Sequence, residues 1–252
     1  MSTQGVTMIT GASSGLGEGM SRELADRGHD LVLFARRIDR LTEIATEIEH
    51  QSSSSVDVRA LDVNDHTAVF DEFQAAADRH GHISRVVVNA GIGKGGRIGA
   101  GRFTANRDTL MTNAIGALAQ IEAAMELFYS QGSGHLVVMS SVTSGRGLPG
   151  PMNAYAAGKA ALTQIAAGIR LDVAAKQLPI KITTLRPGYI ESEMQDRTGR
   201  KHPLLVDAQT GARALADAID RGKAEECVPR WPWTAYSALI NHAPRPLLNR
   251  LL

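Results

Sequence analysis

Six short apolar runs, separated by longer segments of helical spacing, constrain this chain most. They are "GVTMIT" (5–10), "DLVLFA" (30–35), "VDVRAL" (56–61), "SRVVVN" (84–89), "HLVVMS" (135–140) and "IKITTL" (180–185). Rich in Val, Ile and Leu and bounded by Gly, Asp, Ser or Pro, they predict buried strands. Between them, "GLGEGMSRELADRG", "RRIDRLTEIATEIEH", "NDHTAVFDEFQAAADRHG" and "ANRDTLMTNAIGALAQIEAAMELFYSQG" predict helices, most ending near Gly. Regular strand–helix alternation requires a parallel sheet with both faces covered. With 252 residues and no internal repeat or linker, the expectation is one α/β domain, a doubly wound parallel sheet over residues 1–230. Residues 231–252 read as an apolar extension.

Composition excludes several classes. Hydrophobic residues make up 43% and charged residues 21%, and the formal net charge is +1. Nothing in that balance calls for nucleic acid as a partner. One cysteine, Cys227, permits no intramolecular disulfide and fits a reducing compartment. It reads as a small core residue rather than a nucleophile. The N-terminus lacks the pattern of a signal peptide, and no stretch approaches the roughly 18 apolar residues of a membrane span. A cytoplasmic protein is expected.

The first run leads into "TGASSGLG" (10–17), with Gly11, Gly15 and Gly17, then a helical pattern. Glycine lets a backbone approach a ligand closely, and a helix N-terminus offers unpaired N–H groups to a pyrophosphate. The spacing differs from G-x-G-x-x-G and lacks a P-loop lysine. After the first strand of an alternating fold, it points to a dinucleotide. The second strand ends in "FARR". An acidic residue there would bind the ribose 2′-hydroxyl of NAD; a basic one would pair with the 2′-phosphate of NADP. Ala35 followed by Arg36 and Arg37 favours NADP(H), with Arg36 the preferred anchor.

"YAAGK" (155–159) lies in a helical segment, where positions four apart share a face. A nearby ammonium favours a phenolate. Two readings are open: an acid/base pair with the phenol's pKa lowered from its ordinary ~10, or a tyrosine packed on its own helix beside a solvated lysine, and the pentapeptide alone favours the second.

Together these pieces resemble the short-chain dehydrogenase/reductase family, over roughly residues 5–230. "TGASSGLG" is similar to its cofactor loop, "NAG" (89–91) to the motif after its fourth strand, and "SS" (140–141) with "YAAGK" to its catalytic segments. "RPGYIES" (186–192) resembles the turn beside the nicotinamide, and "LDV" (61–63) the segment that meets the adenine. The resemblance implies a Rossmann fold and an NADP(H)-dependent oxidoreductase acting on a carbonyl or secondary alcohol. Tyr155 would be the proton donor or acceptor and also contact the cofactor, and Lys159 would tune it and bind the ribose. Ser141 would hold the substrate oxygen, and Asn113 would support a water-mediated proton path to the lysine. Gly11, Ser13, Ser14, Gly15, Leu16 and Gly17 would contact the cofactor, with Arg36, Arg37, Asp62, Val63, Asn89, Ala90 and Gly91. Pro187, Gly188, Ile190 and Ser192 would complete its site, Ser192 standing where the family commonly has Thr. No metal is implied.

Two departures stand out. Gly158 occupies the place of the usual Ser, and the gap from Ser141 to Tyr155 is one residue longer than usual, which keeps Ser140 and Ser144 as rivals. Substrate selectivity is expected from the glycine-rich, flexible-looking residues 91–103, from the loop 145–153 and from the chain after Met194. In the tail, Trp233, Tyr236, Leu239 and Ile240 fall on one helical face. Packing on the core or a partner subunit is favoured over attachment to a membrane surface by this face and "PLLNRLL", flanked by Arg245 and Arg250. The helices around 105–131 and 153–177 resemble those that pair subunits in the family, so a homodimer or homotetramer is expected. A cofactor-binding sensor without turnover is the rival reading, because fold alone does not give activity.

Overall fold

In a computed structural model, the structure describes residues 5–196 and 204–242. Seven parallel strands form one sheet: β1 (Val6–Thr10), β2 (Asp30–Ala35), β3 (Val56–Ala60), β4 (Ile83–Val88), β5 (Gly134–Met139), β6 (Ile180–Pro187) and β7 (Glu225–Val228). Their order is β3-β2-β1-β4-β5-β6-β7. The chain thus builds outward from β1 in one direction, then returns to β4 and builds in the other. Loops leaving β1 and β4 part at this switch point, where open α/β sheets bind ligands.

Helices α1 (Gly15–Asp26), α2 (Ile38–Gln51) and α3 (His66–His80) follow the first three strands. The sheet is apolar on both faces, as alternation within one strand shows. Val86 and Val88 join Phe34, Phe73 and Phe128 in one buried cluster. Val87 joins Leu24, Leu41, Ile44 and Leu215 in a second cluster on the opposite face.

After β4, the predicted single helix is three pieces: α4 (Phe103–Leu110), a π-helical turn (Met111–Gly116) and α5 (Ala117–Gln131). Its glycine explains part of this. A Cβ on Gly116 would lie 2.7 Å from the Val63 carbonyl oxygen, so the turn crosses close to the loop after β3. α6 (Met152–Ala175) precedes β6. The less regular stretch after β6 contains α7 (Glu193–Asp196). It is closed at its base by a bridge between Ile190 and Val206. α8 (Ala208–Arg221) leads to β7, which the sequence runs above did not include, and α9 (Arg230–His242) ends the described chain.

α9 packs on its own domain. Trp233 is fully buried and Ile240 nearly so, whereas Trp231 and Leu239 are exposed. A Cβ on Gly188 would overlap the Trp233 ring, so glycine at that position admits the indole. The face proposed for a membrane surface is therefore occupied by intramolecular contacts at Trp233 and Ile240. "PLLNRLL", with Arg245 and Arg250, lies outside the described residues. Among those described, no helix is long and apolar enough to cross a membrane. Cys227 is half-buried rather than a core residue, and burial pushes its thiol pKa up.

Candidate active site

The carboxyl ends of β1, β4, β5 and β6 bring the expected residues to one edge of the sheet. Thr10 closes β1, and its hydroxyl accepts hydrogen bonds from the main-chain N–H of Asn89 (3.0 Å) and Ala90 (3.1 Å). The Asn89 side chain donates to the carbonyls of Thr10 (2.9 Å) and Gly11 (3.3 Å). Its amide thus ties β4 to β1 and holds the glycine loop, a supporting role for a residue expected to line the cofactor.

Gly11 and Gly15 have φ of +64° and +55°, which L side chains rarely adopt. A Cβ on Gly17 would run into the Gly11 carbonyl, so the loop folds back on its helix. Ser14 starts α1 in extended conformation, and its side chain makes no capping bond. First-turn N–H groups of α1 are therefore not claimed by that hydroxyl, which suits an anion. Leu16 packs against the second core cluster. From the other side of the cleft, Ser192 comes up to Gly15: a Cβ there would lie 3.1 Å from that of Ser192.

The two arginines diverge. Arg37 reaches over the loop, donating to the Ser13 carbonyl (3.1 Å) and hydroxyl (3.3 Å), and pairs with Glu193 at 3.3 Å. Arg36 is exposed and faces Asp62 at 3.9 Å. Asp62 also accepts from the N–H and side chain of Asn64, both at 3.0 Å. Val63 is buried against the π turn.

In that turn, Asn113 is fully buried. Its side-chain oxygen accepts from Ile92 N–H (2.8 Å), and its amide donates to the Ile92 carbonyl (2.7 Å). Asn106 likewise accepts from Gly96 N–H at 2.8 Å. The segment expected to be flexible is thus anchored at two points. Gly91 and Gly158 make room for this packing. A Cβ at Gly91 would lie 3.1 Å from Asn113 Oδ1 and 3.5 Å from Lys159 Nζ, and one at Gly158 would lie 3.1 Å from Asn113 Cβ. Glycine in place of the usual serine therefore lets α6 sit tightly on the π turn.

Ser140 and Ser141 point to different places. Ser140 donates to the Lys159 carbonyl (2.9 Å) and meets Thr163 (2.8 Å) in the interior. Ser144 donates to the Ser141 carbonyl at 2.8 Å. Ser141 caps a short 3₁₀ turn (Val142–Gly145), accepting from Thr143 N–H (3.2 Å) and hydroxyl (2.9 Å). The Ser141 side chain stands close enough to Tyr155 to oppose the rise in its pKa.

Lys159 is buried, and its Nζ donates to the Met139 carbonyl at 2.7 Å. Burial pulls its pKa down to about 8. Nζ lies 5.9 Å from the centre of the Tyr155 ring. The expected lowering of the Tyr155 pKa is reversed: it is raised, first by burial, with the Ser141 hydrogen bond opposing and the Tyr189 charge adding to the rise. The shared helical face brought lysine and ring together, but the cost of burying a phenolate outweighs it.

At the end of β6, Pro187 is buried, while Gly188 donates to the Val228 carbonyl (2.9 Å) and turns toward Trp233. Ile190 is buried against Gly211. Sequence reasoning missed Tyr189, Asn106, Thr143 and Glu193. Only Tyr189 carried a signal, through its place in "RPGYIES".

The sequence matches the short chain dehydrogenase family over residues 5–203. The chain belongs to that family. An uncharacterized oxidoreductase of Mycobacterium tuberculosis is 47% identical over 244 residues, spanning 96% of this chain and 95% of its own. One from Myxococcus xanthus is 31% identical over 96% of this chain and 94% of its own. Among solved structures, an alcohol dehydrogenase from the archaeon Thermococcus sibiricus, complexed with 5-hydroxy-NADP, superposes with a TM-score of 0.78 at 26% identity. It covers 88% of this chain and 94% of that one. The Sphingobium yanoikuyae short-chain dehydrogenase in complex with NADPH gives 0.80 at 24% identity, over 97% and 95%. This short-chain dehydrogenase is thus an oxidoreductase with a Rossmann-type sheet.

Proposed function

We propose that the protein uses NADP(H) to interconvert a carbonyl compound and a secondary alcohol, with Tyr155 as the acid/base. One observation carries the reading. Tyr155 stands by Ser141 and beside buried Lys159, at the sheet edge that also presents the glycine loop.

The residues fit a dinucleotide. An N-terminus of α1 without a side-chain cap suits a pyrophosphate, and two arginines flank the loop at the end of β2. Arg36, with Asp62 as its nearest acidic neighbour, is the preferred partner for a 2′-phosphate, while Arg37 braces Ser13. Ser192 would reach the carboxamide. That the archaeal relative at 26% identity is complexed with an NADP derivative supports this choice. The nicotinamide, when bound, supplies or accepts the hydride.

The protein's own groups handle the proton. With its pKa raised, the Tyr155 phenol stays protonated at neutral pH and can donate to the oxygen of a carbonyl undergoing reduction. Both contacts from Thr143 fall on the Ser141 oxygen and orient its own proton. Lys159 holds a titratable ammonium behind the ring, and the side-chain-free space at Gly91 separates it from Asn113. That space suits a water path for reprotonation. Exposed Leu110, Met111 and Ile115 on α4 and the π turn, with Leu171 on α6, support pairing of subunits. A cytoplasmic location remains the expectation that goes with a single unpaired cysteine.

Titration with NADPH and NADH, followed by nucleotide fluorescence, tests the cofactor. Oxidation of bound NADPH by a panel of ketones, aldehydes and quinones tests the chemistry. Tighter binding of NADPH with turnover of a panel member is expected; binding of neither nucleotide would overturn the proposal.

A further inference from the structure

Beside the acid/base pair stands an aromatic wall that the proton chemistry does not use. β5 and β6 run side by side, with Met139 opposite Leu185, so the turns carrying Ser141 and Tyr189 leave the sheet together. Tyr189 is close enough for its charge to act on Tyr155. Its ring meets Trp233 edge-on, with centroids 5.4 Å apart at 65°. Trp233 in turn meets Tyr236 at 5.2 Å and 81°. The indole is fully buried, seated where Gly188 has no side chain, whereas both phenol rings are only partly buried. Trp233 therefore acts as a fixed wedge that sets the angle of two accessible rings. Tyr236 continues the wall to Leu148 and Met152, beside the start of α6.

The wall is also uncharged near neutral pH. Burial raises the pKa of both phenols, Tyr189 and Tyr236. A flat ring would gain edge and face contacts with both phenols.

From this arrangement, and resting on the function proposed above, we infer that the substrate is a ketone or aldehyde carrying an aromatic or similarly flat apolar group. That group lies against Tyr189 and Tyr236, with Trp233 as their support. Tyr189 is then a specificity-determining residue, separate from the proton machinery.

The test measures binding apart from turnover. Tyr155→Phe, saturated with NADPH, is titrated calorimetrically with 2-acetylnaphthalene and 2-octanone. The naphthyl ketone is expected to bind at least about ten-fold tighter than its aliphatic companion. Adding Tyr189→Leu should weaken the naphthyl ketone about ten-fold and leave NADPH and 2-octanone unchanged, while Tyr189→Phe should retain it. Unchanged NADPH affinity also shows that the variants fold. Equal or tighter binding of 2-octanone, or indifference of the naphthyl ketone to Tyr189→Leu, would overturn the inference. Wild-type turnover of the same compounds is recorded in parallel. Binding without turnover would remove Tyr155 as acid/base and keep the aromatic wall; preferred turnover of the aliphatic ketone would do the reverse.

Discussion

Lys159 should make this protein gain stability as the pH is raised. Its Nζ is buried and bonded to one main-chain carbonyl, and its pKa falls from the ordinary lysine value of 10.5 to about 8. Below about pH 8 both folded and unfolded chains carry the proton, and the folded chain bears the cost of a buried charge. Between about 8 and 10.5 the folded chain releases the proton while the unfolded chain keeps it, so stability rises with pH. At about 1.4 kcal/mol per pH unit, the full window amounts to about 3 kcal/mol. Lys159→Met removes this titration and leaves every other group in place. Urea unfolding of both proteins from pH 7 to 10.5 isolates the effect, because shared titrations cancel in the difference. Wild type should gain about 3 kcal/mol on the variant across the range. Parallel stability curves would refute a buried, depressed lysine. At neutral pH the variant should be inactive without being less stable, since removing a poorly compensated buried charge is often neutral or stabilising.

Three further outcomes are expected. Ser141→Ala should lower kcat by about 10²-fold or more, as loss of a donor to a developing oxyanion does, while Ser140→Ala should chiefly reduce thermal stability; kinetics and thermal melts separate the two. Gly188→Ala should cost about 1–3 kcal/mol by forcing a methyl group into the Trp233 ring, read as a fall in Tm. Arg36→Ala should weaken NADPH by about 10- to 100-fold and NADH little, whereas Arg37→Ala should weaken both by loosening Ser13; fluorescence titration distinguishes them.

Much of this was legible because strand and helix periods differ so clearly. "DLVLFA" is β2 residue for residue, and the other five runs fall within two residues of their strands. The short edge strand β7 has only four residues, too few to announce itself by pattern. The π turn stayed hidden because one extra residue within a helix leaves its apolar spacing nearly intact; only the position of Asn113 hinted at it. Motifs located Tyr155, Lys159 and Ser141 but not their electrostatics. Four-residue spacing reports that a lysine lies near a ring, not that burial dominates the phenol's pKa. Asn89 and Gly188 illustrate a different limit. Both sit in motifs that point to a cofactor, yet the contacts they make bind strand to strand and admit an indole. Such contacts join residues far apart in the chain, beyond the reach of any local pattern.

The most direct test of the account is the single-turnover rate of NADPH oxidation by wild type and by Tyr155→Phe, each saturated with nucleotide and mixed with a carbonyl compound that wild type reduces. The account expects equal NADPH affinity and a rate at least about 10²-fold lower in the variant, the usual range for loss of a general acid. A variant that oxidises NADPH at the wild-type rate would contradict it.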